Sequence, residues 1–135
     1  MQQQITPYLT FNGHAKEAIE FYKTVLDAEV TDLQTFGETK FETPPELDHR
    51  ILHARLQKGP ILLMFSDNFS GEDAQVGSQI SLVMELKDEE EIKRIYHSFC
   101  EEGTIFMELQ DTFWGATFAK VKDKFGITWD LNLQK

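Results

Sequence analysis

The chain has 135 residues and a mass of 15.6 kDa, a length that fits one domain burying about two-thirds of its unfolded surface. Its 13 Lys and Arg stand against 23 Asp and Glu, and the formal net charge of -10 repels phosphate backbones and anionic lipid, which excludes nucleic acid and membrane surfaces as partners. No stretch approaches the ~18 apolar residues of a membrane span, and the opening MQQQITPY has neither a basic start nor an apolar run, so a cytoplasmic location is expected.

Ile5 to Phe11 has β-rich, partly alternating character, and Asn12-Gly13 breaks it before a helix predicted over His14 to Leu26, with Asn12 as its cap. Ala28 to Phe36 reads as a strand, and Gly37 to Glu46, which holds Pro44-Pro45, as a surface loop. Ile51 to Leu56 alternates, placing Ile51, His53 and Arg55 on one face and Leu52, Ala54 and Leu56 on the other. Gly59-Pro60 turns the chain into Ile61 to Phe65, an unbroken apolar run that predicts a strand buried on both faces. Asp67 to Ser78 is the least hydrophobic stretch and reads as a linker.

Ile80 to Leu86 is the next strand. Asp88 followed three residues later by Glu91 is a capping-box signature, and Glu89, Glu90 and Glu91 suit the positive end of a helix dipole rather than a metal cluster. Gly103 is expected to close that helix. Cys100, the single cysteine, lies on its apolar stripe beside Glu101 and Glu102; without a CxxC partner it reads as a small buried hydrophobe. Thr104 to Leu109, Ala116 to Val121 and Ile127 to Leu133 are predicted strands, the last two joined through Gly126.

The two halves repeat one pattern. Tyr8 to Tyr22 and Leu82 to Tyr96 are both separated by 14 residues, and Ala18/Ile92, Val25/Phe99 and Leu26/Cys100 follow at the same offset. The chain is therefore read as an α+β fold of two βαβββ modules: module one over about 1–67, a linker over about 68–78 and module two over about 79–135. Two half-size, mostly antiparallel sheets of this kind are expected to bury their faces against each other and to share a concavity.

This order resembles the vicinal oxygen chelate superfamily, which includes glyoxalase I, ring-cleaving dioxygenases and bleomycin-resistance proteins, and is most similar to its PhnB-like branch. The likeness is carried by Tyr8-Leu9-Thr10-Phe11-Asn12-Gly13-His14-Ala15, Glu17 to Tyr22, His53-Ala54-Arg55-Leu56, Leu63 to Asp67, Asp111-Thr112-Phe113-Trp114-Gly115 and Asp123 to Trp129. The resemblance implies a cavity between the modules and a homodimer. Superfamily members of known chemistry generally hold one divalent metal ion between the two modules, and its four ligand places map to Pro7 or Tyr8, Met64, Ser81 and Asp130, but the resemblance does not by itself carry the metal or the glyoxalase reaction over to this chain. Only Asp130 is a good ligand there, so the usual quartet is not intact. Part of the branch carries a name suggesting ubiquinone methyl transfer. The absence of a Gly-rich strand-to-helix turn for a nucleotide-like cofactor argues against that activity.

The candidate catalytic residues are His53, as a general base or a metal ligand with Asp130 where it is not simply a hydrogen-bonded structural histidine, and Asp130, as a proton-transfer group or metal ligand. Asp130 turns toward the cavity if Trp129 packs away from it, and its carboxyl would be raised unless paired. The candidate ligand-binding residues are Tyr8, Arg55, Met64, Phe113 and Trp114: the Arg55 guanidinium suits a ligand carboxylate or phosphate or, equally, a neighbouring acid, and the aromatic pair suits stacking on a flat ligand or packing in a seam between sheets or subunits. The leading expectation is a small, largely apolar ligand in the inter-module cavity. The alternatives are a divalent-metal-dependent lyase, isomerase or dioxygenase-like enzyme with a reduced ligand set, and a structural dimer with a collapsed cavity.

Overall fold

Apolar residues recurring at helical spacing in two segments, and at strand spacing in the segments around them, build the same unit twice. The structure, a computed structural model, describes residues 4–38, 44–68 and 73–135. The first unit, residues 1–75, contains β1 (Tyr8–Phe11), α1 (Ala15–Leu26), β2 (Glu29–Thr35), β3 (Ile51–Lys58) and β4 (Ile61–Asp67). The second, residues 76–135, contains β5 (Leu82–Glu85), α2 (Glu89–Cys100), β6 (Thr104–Asp111), β7 (Ala116–Lys122) and β8 (Thr128–Gln134). The sheet orders are β1-β4-β3-β2 and β5-β8-β7-β6; in each, the first two strands run parallel and the other neighbours antiparallel. Both helices have 12 residues and begin at the same offset from their preceding strand, as the repeat predicts. Among the described residues no helix is long and apolar enough to cross a membrane. The predicted surface loop over 37–46 falls partly on residues 39–43, outside the described residues; its ends form short 3-10 turns at Phe36–Glu38 and Pro45–Leu47.

Each helix buries one stripe on one face of its own sheet. In α1 the stripe is Ala15, Ala18, Ile19, Tyr22, Val25 and Leu26, with Tyr22 stacked on Phe65 of β4 at 5.9 Å between ring centroids. In α2 it is Ile92, Ile95 and Phe99, and Phe99 stacks on Trp129 of β8 at 5.3 Å. The Trp129 indole N–H is not orphaned by this burial, because it donates to Asp123 Oδ2 at 2.8 Å.

Four local expectations need correction. Asn12 does not cap α1; its side chain binds the main chain of Ala74 and the carboxamide of Asn68. The N-cap is His14, which makes no side-chain cap bond, and Asp67 of β4 does the work from across the unit. Asp67, only 3% exposed, accepts Gly13 N–H and Ala15 N–H on Oδ1 and Ile51 N–H on Oδ2, each at 2.9 Å. On β3 the strict alternation fails: a register shift between Gln34 and Thr35 absorbs one extra β3 residue, so that Ile51 is buried with Ala54 and Leu56 rather than grouped with His53 and Arg55. β4 is buried on one face only, through Leu63, Phe65 and Asp67; Leu62, Met64 and Ser66 are half-buried and Ile61 is exposed. Finally, α2 ends with Glu102, not Gly103, in the left-handed region at φ 58°. Gly103 is small for another reason, close approach of main chain, as a Cβ there would lie 2.3 Å from Phe99 O.

The capping box on α2 forms as expected. Glu91 N–H donates to Asp88 Oδ1 at 2.8 Å, and Glu91 Oε1 accepts Lys87 N–H at 3.0 Å. Cys100 is half-buried rather than fully buried; burial pushes its thiol up, against the opposing bond to the Tyr96 hydroxyl.

Candidate functional site

Because α1 covers one face of the first sheet, alternation along each strand decides which side chains remain on the other, open face. On β1, Leu9 and Phe11 are buried and Tyr8 and Thr10 are exposed. The ladder then sets Tyr8 beside Met64 of β4, and Met64 beside Arg55 of β3. His53, two residues from Arg55, reaches Tyr8: its Nδ1 and the Tyr8 hydroxyl share a hydrogen bond at 2.9 Å, with ring centroids 5.7 Å apart. Thus four sequence-predicted residues, Tyr8, His53, Arg55 and Met64, are brought together on one open sheet face. Met64 forms an apolar floor between the tyrosine and the guanidinium.

The second unit has its own group. Trp129 faces α2, so Asp130 lies on the open face, yet it is only 8% exposed because β8 is an interior strand between β5 and β7. Both carboxylate oxygens are engaged. Lys120 Nζ, directly across the β7–β8 ladder, donates to Oδ1 at 2.9 Å, and the Ser81 hydroxyl donates to Oδ2. Lys120 was missed in the sequence. Its signal is a lone cation in the run Ala119-Lys120-Val121, where alternation takes the charge to the face opposite the buried pair.

Removing one partner of such a half-buried ion pair leaves the other charge undercompensated. Lys120→Met is therefore expected to cost about 1–3 kcal/mol, read by urea unfolding, whereas a Lys120→Met/Asp130→Leu double variant recovers most of that loss. Equal losses in the single and double variants would contradict the pairing.

Phe113 and Trp114 lie in the turn between β6 and β7. Gly115 supplies the left-handed φ of 82° that the turn needs, and the Thr112 hydroxyl bonds Ala116 O. Phe113 is 97% exposed; it meets Trp114 edge-on at 4.9 Å, and Trp114 meets Phe118 edge-on at 5.9 Å. Of the remaining histidines, His14 occupies the N-cap position of α1 without a side-chain cap bond, His49 is exposed and His97 lies on the exposed side of α2. Among the described residues no group of three or more His, Cys, Asp or Glu side chains gathers around a common point for a metal ion.

Comparison with known proteins agrees with this architecture. The chain is 33% identical to Protein YjdN of Escherichia coli (strain K12) over 97% of its own length and 95% of that protein. Among solved structures it matches protein PA1353 from Pseudomonas aeruginosa with a TM-score of 0.90 and 32% identity, over 98% of each chain. It matches a putative 3-demethylubiquinone-9 3-methyltransferase, PhnB protein, from Bacillus cereus with a TM-score of 0.83 and 26% identity, over 97% of this chain and 99% of that one. A glyoxylase/bleomycin resistance protein/dioxygenase domain from Frankia sp. EAN1pec shares the fold at a TM-score of 0.71 and 10% identity, over 100% and 93% of the two chains. The family model described as 3-demethylubiquinone-9 3-methyltransferase matches residues 3–132, and the chain belongs to that PhnB-like family, with the fold it shares with glyoxylase/bleomycin resistance protein/dioxygenase domains.

Proposed function

We propose that the chain binds a small, largely apolar molecule on its open sheet faces, above all on that of the first unit. The observation that carries this reading is the Met64 floor, half-buried and flanked by Tyr8, whose hydroxyl is already held by His53. Apolar area of this kind gains by covering, and a few fixed polar groups orient what covers it. The second face offers comparable surface in Val83, Phe118 and Trp114, beside the Asp130–Lys120 pair.

A divalent ion at the superfamily's ligand places does not fit these residues. The Asp130 charge is already balanced by Lys120, and its second oxygen is taken by Ser81; Tyr8 is bonded to His53; Met64 is a soft donor. The family description names methyl transfer, which calls for a nucleotide-like donor. The chain has no Gly-rich strand-to-helix turn of the kind that grips such a cofactor. Both facts favour binding over metal-assisted or methyl-transfer chemistry.

The test is a thermal-shift screen of planar apolar compounds against the intact chain and a Met64→Lys variant. A binder present at a hundred times its dissociation constant stabilises the folded state by about 2.7 kcal/mol. The shift is expected in the wild type and absent in Met64→Lys. A shift that survives Met64→Lys undiminished would place the ligand elsewhere.

A further inference from the structure

Arg55 is the group on the first open face whose chemistry is unspent. It lies on β3, an interior strand, half-buried beside Met64. Asp32 stands directly across the β2–β3 ladder, yet the two form no ion pair, and the Arg55 guanidinium has no hydrogen bond or ion pair with any described residue. Arg50, one residue before β3, shows the contrast: its guanidinium is held by the side chain and main-chain carbonyl of Asn68. A guanidinium with its planar fork unengaged, neighboured in the ladder by an apolar side chain, is suited to a planar oxyanion, which it can hold through two parallel N–H bonds.

We infer that the ligand of this face carries a carboxylate, taken by Arg55, on an apolar body that lies over Met64 toward Tyr8. The inference rests on the small-molecule binding proposed above and adds the ligand's charge and polarity. In a chain with a net charge of -10, free anions are repelled in bulk, so a fixed guanidinium beside a desolvating apolar floor is what gives an acid a reason to bind here. The Tyr8–His53 pair then meets the far end of the body rather than the charged group, because Met64 separates Tyr8 from Arg55 along the ladder.

Cinnamate and cinnamamide share one apolar body and differ in the charged group, so calorimetric titration of both against the intact chain reads the inference directly. Cinnamate is expected to bind at least about tenfold more tightly than cinnamamide, a gap the size of one charge-assisted bidentate contact. In Arg55→Gln that gap should vanish, with both compounds at the amide's affinity, while Arg55→Lys keeps part of it; unchanged thermal unfolding shows that both variants fold. Equal affinities in the wild type, or a preference for cinnamate that persists in Arg55→Gln, would overturn the carboxylate and leave the apolar site standing. Binding of neither compound would remove both.

Discussion

Asp67→Ala is expected to destabilise the chain by about 3–5 kcal/mol, since three main-chain N–H groups lose a charged acceptor inside a dry part of the first unit. The carboxylate ties together the start of α1 and the start of β3, elements far apart in sequence, from its place at the end of β4. Water cannot readily replace it at 3% exposure. Asp67→Asn should lose roughly half as much: the amide oxygen can still serve Gly13 and Ala15, but its NH₂ faces Ile51 N–H and cannot accept from it. Urea unfolding should show the midpoint falling with the slope unchanged, and the Ile51 amide exchanging faster. A loss below about 1 kcal/mol would mean that the three donors find other partners.

Gly103→Ala is the second large effect. The added Cβ would lie 2.3 Å from Phe99 O in the last turn of α2 and 2.6 Å from Lys122 O at the end of β7. Both are main-chain atoms, so relief requires moving a helix or a strand whose own packing, Phe99 on Trp129, is already close. The expected cost is about 3 kcal/mol or more. Gly77→Ala is the control, because nothing lies within 4 Å of a Cβ there, and it should stay within about 0.5 kcal/mol of the wild type. If the two variants unfold alike, the close approach at Gly103 is not what holds the second unit together.

Particular residues show which parts of this molecule can be read from its sequence. The duplicated strand-helix spacing from Tyr8 to Tyr22 and from Leu82 to Tyr96 was legible because helix and strand periods are local. The Asp88–Glu91 capping box was legible for the same reason, since its partners are three residues apart. The cap on α1 was not: Asp67 lies 52 residues from Ala15 and adjoins a stretch that reads as linker. The extra residue on β3 was hidden because a bulge leaves no mark on an apolar-polar pattern that looks regular. At the candidate site, the grouping of His53, Arg55 and Met64 follows from alternation and hairpin register, which the Gly59-Pro60 turn fixes. The Tyr8–His53 bond needed the parallel β1–β4 pairing, a tertiary fact. Asp130 was legible as a residue turned away from Trp129, but its ion pair with Lys120 depends on β7–β8 register, which the sequence does not show.

The ligand proposed for the first unit is a small apolar molecule that covers the open face of its sheet. Amide chemical-shift mapping of the intact chain during titration with cinnamamide, a neutral planar probe, tests this without relying on Arg55. Saturable shifts are expected at Tyr8, His53 and Met64, with the buried stripe of α1 from Ala15 to Leu26 unaffected. Shifts confined to the helix side of that sheet, or no saturable shift at any concentration the probe reaches, would contradict it.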